Sequence, residues 1–243
     1  MILIFILNLK QKTMNKHLLS LLIICSITAS VLAQNCSQFI YMTNGKVVTY
    51  SSANGKGKAT SKMVYTVSKK AGNKATVQSS IFDDKGKQIS SADAQMICEG
   101  SNLKIDMRNF MPAGQGSQFK NMTAKADVSY LIYPTKLRAG QQLDDGNFTM
   151  QMYNKEQKMS DISMRIFNRK VESTETITTP AGTYDCFKFT YNAEMKTTTF
   201  GISIPLNMQI TEWYSAKLGL YVKSEAVNKN GKLLSVTSLE SVD

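Results

Sequence analysis

Histidine is almost missing from this chain. Its single copy among 243 residues is His17, which lies inside a segment read below as removed on export. Without histidine no Ser-His-Asp or Cys-His nucleophile can be assembled, and no histidine-based zinc, haem or iron centre can form. Carboxylate-only or lysine-based chemistry is left, and no motif supports it. Phosphate loops, dinucleotide fingerprints and internal repeats are also missing, so the residues point to no catalytic group, no cofactor and no metal. The carboxylate pairs Asp83-Asp84 and Asp144-Asp145 sit beside glycine. They read as turn-capping residues rather than as calcium ligands or an acid-base pair.

The first residues carry an export signal. Met14 to Ala33 has a basic start at Lys16, an apolar run from Leu18 to Ile27, and Val31 and Ala33 at the minus-three and minus-one positions before Gln34. Met1 to Thr13 repeats the apolar theme in Ile2 to Leu7, which makes Met14 an alternative initiator. The apolar run is short for a bilayer span, so no membrane span is expected after cleavage. Ile24 before Cys25 and Asn35 before Cys36 exclude a lipoprotein signal. The expected organisation is a signal peptide over 1–33 and a single β domain over 34–243.

The whole chain has 29 basic and 18 acidic residues, a formal net charge of +11. Only lysines, Lys10, Lys12 and Lys16, leave with the signal, so the remainder stays basic. Its lysines are dispersed over alternating segments and turns, the pattern of a solvated face that also protects strand edges. A nucleic-acid reader would concentrate them with aromatics, so no nucleic-acid partner is expected. An anionic envelope surface would attract the chain nonspecifically. Cys25 also leaves, and Cys36, Cys98 and Cys186 allow one internal disulfide. Cys36 with Cys98 is the expected pair, because Cys36 lies in a free-ended segment that needs tying down and Cys98 ends a strand. Cys186, in mid-strand, reads as a small core residue. Asn35, Asn121 and Asn147 head glycosylation sequons that matter only in a eukaryotic secretory route.

From Gln38 onward short alternating runs are separated by turn residues, with little helical periodicity. Lys74 to Phe82 sets Ala75, Val77, Ser79 and Ile81 against polar neighbours, the period-two signature of a half-buried strand. Successive runs make antiparallel hairpins. The expected class is all-β: a single strongly curved antiparallel sheet or a β-barrel, with a long loop or short helix near residues 108–125. Phe148, Met150 and Met152 share one strand face, and Ile162, Met164 and Ile166 share the next. The opposite side of that second strand, with Ser163, Arg165 and Arg169, looks wet. Pro205 interrupts the alternation from Phe200 to Ile210 and argues for an edge, a bulge or two strands. Of 14 methionines, those on inner faces fill a core or line an adaptable apolar pocket. A copper(I) site at Met150 and Met152 is a weaker alternative. Phe148, Met150, Met152, Met164 and Trp213 are the candidate ligand-binding residues.

Several segments resemble the TapB-like exported proteins, a bacterial family of unknown function in Gram-negative envelopes. They are the stretch from Thr179 to Phe187, Trp213-Tyr214, Gly219 to Glu225, Gly231 with Lys232 and Leu233, and Ser238-Leu239. Looser matches lie at Cys98 to Gly100, Gly140 to Asp144 and Asn168 to Lys170. The resemblance implies a single curved antiparallel sheet or barrel and no established activity, and it carries over no catalytic residue. The matching residues have a structural account, since Pro180 and Gly182 set a turn while Phe187, Phe189 and Tyr191 share a face. The expectation is therefore an exported, non-enzymatic protein of the periplasm or outer envelope. It would bind a lipid or other apolar small molecule, or act as a structural component with an envelope protein partner.

Overall fold

Period-two alternation over most of the chain gives thirteen strands in the computed structural model, which describes residues 35–110 and 122–243. In chain order they are β1 (Val47–Asn54), β2 (Ala59–Ala71), β3 (Lys74–Asp83), β4 (Gln88–Glu99), β5 (Asn102–Asp106), β6 (Met122–Ala126) and β7 (Tyr130–Pro134). The second half adds β8 (Gly146–Asn154), β9 (Gln157–Thr179), β10 (Gly182–Thr199), β11 (Ile202–Ser215), β12 (Leu220–Asn228) and β13 (Leu233–Val242). All belong to one antiparallel sheet, ordered β6-β8-β9-β10-β11-β12-β13-β1-β2-β3-β4-β5-β7. The signal segment 1–33 lies outside the described residues. The region near 108–125 holds a 3-10 turn at Met107–Phe110 and, against the expectation of loop or helix, strand β6. Its middle lies outside the described residues.

Two meanders, β1 to β5 and β8 to β13, are joined where the first strand pairs the last. Val48 stands opposite Val242, and Asn54 opposite Ser235. The barrel alternative is corrected, because β6 and β7 are the ends of an open ladder. The sheet nevertheless curls until β7 reaches β8. There the contact passes through side chains: Ser129 Oγ donates to the Asn147 carbonyl at 2.6 Å. A Cβ added to Gly146 would stand 2.7 Å from Leu131 Cδ1 and 2.9 Å from Met107 Sδ. Gly146 thus lets the edge strand approach more closely than any side chain would permit.

The expected wet position of Arg169 is also corrected. Along β9 the buried residues are Ser160, Ile162, Met164 and Ile166, and then Arg169 and Val171. The alternation changes phase at Asn168, which adopts φ of 56° where the register with β10 slips. Asp145 Oδ1 accepts the Asn168 N–H at 3.1 Å and holds this bulge in place. One extra residue sends the side chains that follow, Arg169 and Val171, to the opposite face, until a second slip at Glu172 puts Ser173 opposite Lys188. Arg169 therefore enters the interior, where it is 1 % exposed.

The segment before β1 closes one end of the curled sheet. Cys36, Phe39, Tyr41 and Met42 are buried there in two 3-10 turns. Cys36 is bonded to Cys98 of β4, with Cα atoms 5.5 Å apart across a sequence separation of 62. At the other side Ile40 N–H donates to the Leu218 carbonyl at 3.0 Å. Phe39 lies so close to Gly219, at φ of 72°, that no Cβ could be added. The segment is thus tied to both halves of the sheet. Replacing both Cys36 and Cys98 by serine should cost about 3–4 kcal/mol of stability, from the entropy of the opened loop. Urea unfolding with and without reductant checks this: reductant should bring the native chain down to the variant and leave the variant unmoved.

Candidate functional site

Cross-strand register places the methionine residues in one apolar field. Phe148, Met164, Met195 and Leu206 form one row across β8, β9, β10 and β11, and Met150, Ile162, Thr197 and Ile204 form the next. A third row holds Met152, Ser160, Thr199 and Ile202. Opposed residues of an antiparallel pair project to the same side, so these rows make one face. Phe148, Met152, Ile162 and Met164 are buried in the core, and Met150 and Met195 are half-buried against it. Toward β11 the same face comes out of the protein. Leu206 is 42 % exposed, Ile204 69 %, Ile202 71 %, and Phe200 at the turn 78 %.

That exposure follows from strand lengths. β12 begins to pair β11 only at Met208, opposite Asn228. Residues 202–207 therefore pair β10 alone, and the end of the β10–β11 hairpin projects with one free edge. Pro205 sits in this edge opposite Lys196, where its missing N–H leaves no ladder bond unmade. The alternation was legible in the sequence. What periodicity could not show was that β12 stops short, which converts an inner face into a surface.

Trp213 is not part of this field. It stands opposite Lys188 on β10 and Lys223 on β12, whereas Phe189 stands opposite Glu212. Its ring thus lies on the other face of the sheet from Phe187, Phe189 and Tyr191. Lys188 Nζ and Lys223 Nζ are 5.7 and 4.8 Å from its centroid, and its indole N–H donates to Glu175 at 2.8 Å. This bond and Lys188 hold the Glu175 carboxyl below its ordinary range. Trp213 is a covered structural ring, while the other four candidates share one field.

A second cluster was not anticipated. Glu212, 2 % exposed, points into the interior and accepts from Tyr191 Oη at 2.9 Å and Tyr133 Oη at 3.5 Å. Tyr133 stacks on Phe189 and Tyr214, and Arg169 Cζ lies 4.9 Å over its ring. Arg169 spends its Nη1 on the carbonyls of Ile132 and Asp144, at 3.1 and 2.8 Å. Arg169 Nε and Nη2, Glu212 Oε1 and Tyr214 Oη find no hydrogen-bond partner among the described residues. Arg169 and Glu212 attract one another without forming a contact ion pair. Burial pushes the Glu212 carboxyl above its ordinary value, against the opposing effects of Tyr191, Arg169 and Tyr133. The tyrosines Tyr50, Tyr133, Tyr191 and Tyr221 are driven up by the same desolvation. The sequence signal for this cluster was weak: a lone glutamate inside an aromatic strand, Glu212 before Trp213 and Tyr214.

The remaining titratable groups are bland. Cys186 is free and buried, and burial pushes its thiol up to about 12. Asp83 Oδ1 accepts the N–H groups of Lys85 and Lys87, both at 2.9 Å, as a turn cap. Among the described residues no group of three His, Cys, Asp or Glu side chains could hold a metal ion. No helix among them is long and apolar enough to cross a membrane.

Glu212 makes stability depend on pH with a definite sign. Its folded-state value lies above its unfolded one, so its contribution is best below the unfolded value and is lost as pH rises through the folded value. Glu212→Gln keeps the acceptor for Tyr191 and Tyr133 and cannot ionise. Denaturant midpoints measured from acid to neutral pH should fall with rising pH in the native chain by more than in E212Q. Parallel curves would show that burial leaves the Glu212 carboxyl unshifted between the folded and unfolded states.

A family model described as DUF3108-like matches residues 43–239 of the chain. No curated protein matches it. Two solved structures are similar. One is a Parabacteroides distasonis protein described as a lipoprotein, at 25% identity and TM-score 0.67, the match covering 83% of this chain and 96% of that one. The other is a Bacteroides fragilis protein described as exported and of YmcC-like fold, at 23% identity and TM-score 0.64, with the same two coverages.

Proposed function

The chain belongs to the DUF3108-like family, and from that premise we propose that it is an exported, non-enzymatic envelope protein that binds a hydrophobic or amphipathic ligand. The description of the Parabacteroides protein as a lipoprotein supports an envelope location in a Gram-negative bacterium, periplasmic or outer. The finer likeness to TapB-like proteins is part of the same proposal. Composition supports the absence of enzymatic activity, because histidine-dependent catalysis is closed to the chain beyond His17.

One observation carries the binding role. The apolar field of Phe148, Met150, Met152 and Met164 is buried at β8 and continuous with the exposed Leu206, Ile204 and Ile202 at β11. Soluble proteins seldom leave large aliphatic side chains side by side in water unless something covers them. Unbranched methionines at the half-buried margin adapt to ligands of varied shape. A second reading, a structural or interaction component of the envelope, draws support from an interior occupied by stacked rings such as Tyr133, Phe189 and Tyr214.

Native mass spectrometry of the protein purified from its own envelope, before and after organic extraction, tests the binding role. The expected result is a discrete extra mass lost on extraction. Met150→Lys, at the half-buried margin, should lower the occupied fraction at least about tenfold. A bare polypeptide mass from the native envelope would overturn the reading and favour the interaction component.

A further inference from the structure

The projecting end of the β10–β11 hairpin has more exposed apolar surface than binding within the field requires. Phe200 and Gly201 form its two-residue turn, with φ of 50° and 80°. Positive φ at both positions defines a turn that normally holds Asn-Gly. An aromatic ring there is strained in its backbone and almost wholly in solvent, so local structure gives no reason for it. Ile202, Ile204 and Leu206 follow on one face, in a row about 20 Å long from Phe200. Three hydrophobic steps below a hydrophobic tip make a graded wedge.

The same end of the sheet is lined with cations. Thr199 pairs with Ser160, and β9 runs on to Gln157, so the β8–β9 turn at Lys155 flanks the arm and reaches past the Phe200 turn. Lys158 lies next to it, paired with Asp161 at 3.0 Å. Lys125 Nζ sits 4.5 Å over the Tyr153 ring, which ends β8 at this level. Glu156 is the other acidic residue of the turn, and Lys196 flanks the arm on its opposite face. A ring of lysines and a tyrosine around an apolar tip is the arrangement that headgroups accommodate. The chain stays basic after the three lysines of the signal have left, which favours an anionic surface.

Pro205 argues against the other occupant, a strand added to the free edge from a second copy or another protein. It removes a donor from the middle of a six-residue edge.

We propose that the β10–β11 arm docks by its apolar face on an anionic lipid bilayer, with Phe200, Ile202, Ile204 and Leu206 toward the acyl boundary and the lysines of the flanking β8–β9 turn among the headgroups. This rests on the amphipathic-binding role and names the source of the amphiphile as a membrane surface. Bound there, the exposed end of the apolar field opens onto the acyl layer. A lipid chain can then pass between bilayer and field without crossing water.

Flotation of the purified protein with phosphatidylethanolamine–phosphatidylglycerol vesicles, against phosphatidylcholine vesicles, reads the docking. The native chain should float with the anionic vesicles, less so as salt rises. Phe200→Asn should weaken partitioning roughly tenfold, and adding Ile202→Thr and Ile204→Thr should weaken it at least about a hundredfold. Asparagine suits the turn, so F200N should melt at the same temperature as the native chain or higher, and loss of docking will not reflect misfolding. Phe200→Trp should keep docking and show a blue shift on anionic vesicles, after subtraction of the Trp213 signal. Failure of the native chain to float, equal flotation of the triple variant, or an unshifted F200W spectrum would overturn the proposal. So would a concentration-dependent dimer abolished by the triple variant. An extractable ligand kept by a triple variant that no longer floats confirms docking as separate from binding. A floating native chain with a bare mass would remove the binding role alone.

Discussion

A sheet that curls without closing must satisfy two edges at the place where they meet, and Arg169 supplies the main link. Its guanidinium reaches from β9 to the Ile132 carbonyl of β7 and to the Asp144 carbonyl just before β8, with the Tyr133 ring beneath it. A buried guanidinium is costly unless its hydrogens are used. Here two edge carbonyls that a ladder would have served are served by a charge. The bulge at Asn168, the close packing at Gly146 and the buried Glu212 are all arranged around this guest. The interior is consequently polar around Arg169 and Glu212 and apolar toward β8, a division that follows from the bulge that turns Arg169 inward.

The same geometry separates the two faces that bear on function. Trp213, conspicuous as the only tryptophan, is clamped between two lysines and held by Glu175, away from the methionine field. The field itself runs out of the core into solvent because β12 ends before β11 does. The fold is shared with solved proteins of which one is described as exported and one as a lipoprotein. The details that carry a role belong to this chain's own residues: methionines at a half-buried margin, an aromatic in a turn built for asparagine, and a proline on an edge.

Much of the fold was legible because alternation is a local signal. The hairpins from Lys74 to Cys98 and from Leu220 to Val242 could be read residue by residue, as could the turn at Pro180, while Pro205 left an edge, a bulge and two strands open. Arg169 was misplaced because a bulge costs no residue type that a pattern would notice: Asn168 tolerates left-handed backbone, yet asparagine is common in strands' ends and turns alike. Strand β6 lies at the end of the stretch 108–125, where a long loop or short helix is expected, because five residues, Met122 to Ala126, are too few to show a period against the irregular run before them. The interior cluster escaped for a different reason, since Glu212, Tyr133 and Arg169 are brought together only by curvature, which no spacing encodes. The ligand candidates Phe148, Met150, Met152 and Met164 were legible as a shared face, and Trp213 was drawn to them by size alone.

The central seam of the sheet, β1 against β13, joins segments that are among the most distant in the chain. Neither meander can bury the edge it offers there until residues 233–242 arrive. Closing so long a loop is entropically slow and cannot be replaced by local contacts. During synthesis the chain consequently stays unfinished and threadable to its last strand.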